Sequence, residues 1–147
     1  MKVLNILIRR CVLIARFEET VSFYENLIAQ KARLRFDYPE YDLKLAQVGS
    51  VLLIGGTEQS LAPFRATEAT FLVNDITAWE KHLPSTGATI INPVKAVPTG
   101  WNMLVRHPDG MIAEYVEHHD KTRRMRSSDA SRPDGRTWHH LAILPEK

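Results

Sequence analysis

"RHPDGMIAEYVE", Arg106 to Glu117, is the stretch whose reading decides the fold. Pro108-Asp109-Gly110 is a turn signal, with Gly suited to the positive φ of a tight hairpin. An apolar strand follows it, "MIAEYVE", and another strand, "WNMLVRH", precedes it. In the middle of the later strand stands one carboxylate, Glu114. A charge inside an apolar strand is costly unless something pairs with it, so its partner has to be found elsewhere in the chain.

Outward from this hairpin, the same pattern occurs twice. "EATFLV" reads as a strand. Asn74 or Asp75 can cap a short helix, "ITAWEKHLPSTG", which turns Ile76, Trp79 and Leu83 inward and is ended by Pro84 and Gly87. "ATIINPV" and the closing hairpin complete the unit. Upstream, "LNILIRRCVLIA" is a β-branched, apolar strand. "RFEETVSFYENLIAQ" carries Phe17, Val21, Tyr24 and Ile28 at helical spacing, with Glu18 and Glu19 at the positive end of the helix dipole. "ARLRFDY", "DLKLAQV" and "SVLLIGG" are three strands, the last two joined at Gly49-Ser50. The helix entries, Arg16 and Asp75, lie 59 residues apart, and the final strands are offset by 61, from Leu53 to Glu114. Two βαβββ units of nearly equal period imply a duplicated α+β fold.

The 147 residues suffice for one domain with a real core. The only cysteine is Cys11, which excludes a disulfide framework and a thiolate zinc cluster. No apolar run approaches the ~20 residues of a membrane span. Arg9 and Arg10 interrupt the apolar start, and no small-residue cleavage site follows, so it is read as a buried strand of a cytoplasmic protein. Residues 1–117 carry 12 Lys and Arg against 13 Asp and Glu, a net of −1. Residues 118–147 carry 7 against 4, a net of +3. The tail segment "KTRRMRSSDASRPDG" is therefore expected to be a solvated extension, with residues 120–136 mobile. No nucleic-acid module accompanies its charge, so nucleic acid is not expected as a partner.

"ETVSFYENLIA", "FLVNDI" and above all "GWNMLVRHPDGMIAEYVE" resemble the vicinal oxygen chelate superfamily, which includes glyoxalase I, bleomycin-resistance proteins and extradiol dioxygenases. The resemblance covers about residues 3–118. His107 replaces the Asp that usually opens the closing turn, and the Gly often found after Leu27 is missing. The resemblance implies two βαβββ modules, about 3–56 and 66–118, forming curled mixed sheets around a shared cleft, followed by a basic extension over 119–147. In metal-dependent members the cleft holds a divalent ion, with ligands on the first and last strand of each module. Carried over one at a time, Glu114 matches, Glu68 stands where His is usual, and Arg9 and Leu53 occupy the other two positions. Arg9 opposes a cation there, so neither a tightly bound metal nor another cofactor is expected.

Strand alternation turns Arg9, Cys11 and Leu13, then Glu68, Thr70 and Leu72, then Ile112, Glu114 and Val116 toward the cleft. Trp101 and Met103 share a face of the preceding strand and, with Leu53, complete the cleft candidates. Cys11 reads either as a cleft thiol or as a small buried hydrophobe. His82 is placed on the surface and His107 at the turn. The pairs His118-His119 and His139-His140 each offer at most one ligand per site, because neighbours on a strand point to opposite faces. "TWHHLAIL" is a candidate short strand that docks on a sheet edge. Three functions stay open. One is a metal-free binding protein for a small organic molecule, of the bleomycin-resistance type. The second is a metal-dependent lyase, transferase or dioxygenase with altered ligands. The third is a module for dimerisation or regulation through the tail. Ligand loss favours the first and third, and an apolar cleft with a few polar groups favours the first. A homodimer is expected, because small sheets leave open edges. Arg9 is expected to stand between Glu68 and Glu114 in place of the ion.

Overall fold

The computed structural model describes residues 1–97 and 99–119, so the expectations for 120–147, including the tail, "TWHHLAIL" and His139-His140, lie outside the described residues. The first module runs β1 (Val3–Leu13), α1 (Phe17–Ile28), β2 (Leu34–Tyr38), β3 (Leu43–Val48) and β4 (Val51–Gly56). A four-residue helix, α2 (Glu58–Leu61), links it to β5 (Thr67–Val73), α3 (Ile76–His82), β6 (Thr89–Val97), β7 (Gly100–Arg106) and β8 (Ile112–His118). The α+β duplication is therefore as the sequence indicated, and the linking helix, closed by a Thr57–Ser60 capping box, is an addition to it.

The two modules share one mixed sheet. Its strand order is β2-β3-β4-β1-β5-β8-β7-β6, with edges at β2 and β6, so it is open rather than a barrel. β1 pairs antiparallel with β5, and each of these pairs in parallel with the last strand of its own module, β4 or β8. This order brings β1 within two strands of β8, and hence Arg9 near Glu114, although 105 residues separate them.

Both long helices cover the same face. α1 lays Phe17 and Val21 on Ala46, Val48 and Leu53. α3 lays Ile76 on Val73, Met103, Val105 and Ala113. α1 ends at Ala29, which adopts a left-handed conformation at φ 61° that a glycine would take without cost. Asp75 caps α3, accepting a bond from the Ala78 amide at 3.3 Å. Pro93 sits in β6, an edge strand that tolerates the lost donor. The opposite face is filled on its first-module side by Leu7, Leu34, Leu43, Leu45, Leu52 and Ile54, under Leu61 and Phe64.

Gly100 is demanded by close approach to a neighbouring backbone. Gly100 opens β7 at φ 150°, and a Cβ there would overlap the Glu117 carbonyl oxygen on β8. Neither backbone can yield without breaking the β7–β8 ladder. Gly100→Ala is expected to cost about 2–3 kcal/mol, read as a lower urea midpoint with unchanged slope. A midpoint within error of the parent would show that the ladder gives way freely.

Candidate functional site

Glu114 lies at the centre of β8, between Thr70 of β5 and Leu104 of β7 in register. Its carboxylate is fully buried and meets Arg9. Arg9 Nη1 donates to Glu114 Oε1 at 3.2 Å and to Thr70 Oγ1 at 3.1 Å, and Arg9 Nε donates to the Thr67 carbonyl at 3.1 Å. Thr70 Oγ1 donates in turn to Glu114 Oε1 at 2.9 Å, and Asn102 Nδ2 donates to Oε2 at 3.1 Å. Three donors on one buried carboxylate, one of them charged, answer why the strand tolerates it.

Burial pulls the Arg9 guanidinium below its ordinary value, opposed by Glu114 and then by Cys11. A guanidinium starts from so high a value that it keeps its charge. Arg9 Nη2 is buried and has no hydrogen-bond partner among the described residues. Cys11, two residues along the same face, is half-buried against the apolar cluster. Burial pushes its thiol up, while Arg9, Arg65 and Arg10 pull it back only in part, so it is a neutral thiol at pH 7.

The structure divides the remaining candidates. Thr70 and Glu114 share the face of Arg9 and Cys11, and Ile112 is on the same side of β8, half-buried. Leu53 is not on that face: it packs under α1, and Leu52 is the residue opposite Arg9. Met103 packs under α3, and Trp101, two residues before it, shares its face and meets the His119 ring. Asn102 and Leu104 are the β7 residues facing Glu114's side. Glu68 is exposed at a register shift between Thr67 and Ala69 and makes no ion pair with Arg9, so Arg9 pairs with one carboxylate rather than two. His107 sits at the closing turn, where its ring bonds to Tyr115 Oη at 2.8 Å. His82 is exposed and His118 is buried at the end of β8.

A run of aromatic rings on the face of Arg9 went unseen in the sequence. Phe36, Tyr38, Tyr41 and Phe64 follow one another with centroids 5.8, 4.8 and 5.7 Å apart, packed against the same cluster as Cys11. "RFDYPEY" carried the signal as three aromatics within six residues. A cavity of about 250 Å³ lies at the β2–β3–β4 end of the sheet, lined by Asp37, Pro39, Asp42, Leu43, Lys44 and Gly56 among others, and none of the four rings lines it.

The residues around Glu114 do not fit a divalent ion. The guanidinium already occupies the carboxylate of Glu114, Leu52 offers no donor, and among the described residues no three His, Cys, Asp or Glu side chains gather closely enough to hold a metal. What the arrangement supplies is a rigid polar floor with a spare donor, beside an aromatic wall.

No protein-family model matches the chain, and neither does any curated protein. Among solved structures, an uncharacterized protein from Methanosarcina mazei is 45% identical over 80% of this chain and 94% of its own, with a TM-score of 0.72. Methylmalonyl-CoA epimerase from Mycobacterium tuberculosis is 15% identical over 83% and 93%, with a TM-score of 0.60. A variant of the Streptomyces coelicolor methylmalonyl-CoA epimerase, in complex with 2-nitronate-propionyl-CoA, is 15% identical over 81% and 97%, at 0.54.

Proposed function

We propose that this chain, whose fold is that of methylmalonyl-CoA epimerase, is a member of the vicinal oxygen chelate superfamily that binds a small organic molecule without a catalytic metal, as bleomycin-resistance proteins do. The observation that carries this reading is the buried Arg9–Glu114 pair, which joins two of the positions where the family resemblance would put metal ligands. It is supported by the aromatic run on the same face and by the spare donor of Arg9. Such a site suits a ligand with a planar apolar body and an oxygen acceptor, a carboxylate or carbonyl: the rings take the body and Nη2 takes the oxygen. The fold itself accommodates organic ligands, as the Streptomyces coelicolor complex illustrates. Residues Arg9, Cys11, Thr70, Asn102, Glu114, Phe36, Tyr38, Tyr41 and Phe64 form the proposed site. No helix among the described residues is long and apolar enough to cross a membrane, and a cytoplasmic location belongs to this proposal.

The test is thermal unfolding of the full chain against a panel of aromatic and aliphatic acids, amides and thioesters, with metal analysis of the same preparation. At least one planar acid or carbonyl compound is expected to raise the midpoint of the parent and to lose that effect in Tyr38→Ala/Tyr41→Ala. A hundredfold excess over Kd corresponds to about 2.7 kcal/mol of stabilisation. Metal content is expected well below one equivalent. A panel without effect, an effect indifferent to the tyrosines, or stoichiometric metal that survives dialysis would each count against the reading.

A further inference from the structure

One strand carries an amide where its neighbours on the same face are apolar. Leu43, Leu45 and Gln47 of β3 alternate toward the cluster of Leu7 and Leu52, and all three are buried, Gln47 at 2% exposure. Gln47 pairs in register with Leu34 on one side and Leu52 on the other, both fully buried. Its Nε2 donates to the Gly49 carbonyl at 3.0 Å, and its Oε1 is buried without a hydrogen-bond partner among the described residues. A buried amide oxygen left so costs stability, which a leucine there would not. The same residue lines a cavity of about 250 Å³ at the β3–β4 turn, with Asn5, Gln30, Arg33, Gly49 and Ser50. Among these six residues there is neither a ring nor a carboxylate. Hydrogen bonds at the wall divide the roles. Asn5 Oδ1 accepts from Ser50 Oγ at 3.2 Å and from the Ile6 amide at 2.8 Å, so what Asn5 can still offer is its Nδ2 donor. Ser50 Oγ has spent its proton there and offers lone pairs. Arg33 brings a permanent positive charge, and Gln30 can donate or accept. Donors therefore come from Arg33 and Asn5, and acceptors from Gln47 and Ser50.

We propose that this cavity is a binding site for a small hydroxylated carboxylic acid. The carboxylate meets Arg33 and Asn5 Nδ2, and the hydroxyl donates to Gln47 Oε1. The terminal torsion of a glutamine is soft, so Oε1 can turn to the cavity. The ligand's one donor then supplies what the buried oxygen lacks, and its charge matches the one charged residue of the wall. The space holds roughly eight water-sized groups, enough for an acid of about three or four carbons. A cation is a poor occupant, because Arg33 repels it and no carboxylate of the wall attracts it. A planar apolar body is another, because the wall offers no ring to stack on. The cavity is separate from the site at Arg9. Leu52 stands between Gln47 and Arg9 in register, and it is fully buried.

Heteronuclear NMR titration of the full chain tests this, with lactate, glycerate and malate as probes and propionate and glycerol as controls. At least one hydroxy acid is expected to shift the side-chain amide signals of Gln47 and Asn5, with a Kd of about 1 mM. Propionate lacks the hydroxyl and glycerol lacks the carboxylate, so each is expected to bind at least tenfold more weakly. Gln47→Leu nearly keeps the buried volume and removes the acceptor. Arg33→Gln, at a half-buried position, removes the charge. Each variant is expected to weaken the hydroxy acid at least tenfold, and Arg33→Gln decides the matter if Gln47→Leu does not fold. The proposal is overturned if no probe gives a saturable shift up to about 50 mM, because water alone then serves Gln47. It is overturned equally if propionate or glycerol matches the hydroxy acids, or if either folded variant binds as the parent does. The planar ligands tested through Tyr38 and Tyr41 use a different wall, so failure here leaves that reading untouched.

Discussion

Arg9→Ala loses about 3–5 kcal/mol of folding stability, the usual result when one partner of a buried ion pair is removed and the other is left in place. For a domain of this size that lowers the thermal midpoint by roughly 10–20 °C. The cause is specific. Glu114 is fully buried, and among the described residues its charged donor is Arg9, beside the neutral Thr70 and Asn102. With Arg9 gone, these neutral donors are set against the desolvation of a carboxylate. Arg9→Met combined with Glu114→Leu removes both charges and is expected to regain most of the loss, because well-packed apolar residues replace buried ion pairs at little cost. If the double variant is as unstable as the single, packing rather than charge accounts for the effect.

The same variant carries a signature in pH. In Arg9→Ala the Glu114 carboxyl stays buried without its cation, so its neutral form is favoured and its folded-state pKa rises above the unfolded value of about 4.3. A raised carboxyl pKa contributes stability that is present below the unfolded pKa and lost as pH rises through the folded one. The gap between variant and parent should therefore be narrow near pH 4 and widen toward pH 8, with all other groups cancelling in the comparison. Urea midpoints at four pH values measure this. A gap that does not change with pH would show that Arg9 does not hold the charge of Glu114.

The module order, the two long helices and every strand were legible because their signals are local: helical spacing in Phe17, Val21, Tyr24 and Ile28, turn residues at Gly49 and Gly110, and a repeat of about 60 residues. The site was legible only in part, for three physical reasons. β4 is buried on both faces and β7 is buried on both faces in its middle, at Asn102 and Met103, so "VLLIGG" and "WNMLVR" show no clean alternation, and their parity is hidden. Nothing in the sequence therefore shows that Leu53, the position the resemblance points to, faces α1, or that Trp101 and Met103 lie on the face opposite Glu114. Glu68 fell to the register shift after Thr67, which no sequence pattern announces. The encounter of Arg9 with Glu114 depends on β1, β5 and β8 being neighbours, and only the family resemblance, not composition or period, made that expectation available.

The corrected register yields the sharper test of what Arg9 replaces. Arg9 stands opposite Leu52 across β1 and β4, and Thr70 stands opposite Glu114 across β5 and β8. Arg9 already reaches both Thr70 and Glu114 at hydrogen-bond distance, and Leu52 is its register partner, so the four positions lie on one face of four adjacent strands. Arg9→His with Thr70→His and Leu52→Glu should therefore place two imidazoles and two carboxylates around one point, a donor set that suits Zn²⁺. The set drawn from the sequence alone, Arg9→His with Glu68→His and Leu53→Glu, should not. Its Glu would lie under α1 against Phe17 and Val21, and its second His at an exposed register shift. Without metal, both triple variants should be poorly stable, since each buries a carboxylate that has no cation. With Zn²⁺ at a thousandfold excess over Kd, the corrected variant gains about 4 kcal/mol, a rise in midpoint of more than ~10 °C, reversed by chelator. The other variant and the parent gain nothing. Equal response of the two triple variants, or none from either, would mean that the four strands do not bring these positions to one point, and that Arg9 occupies no ion's place.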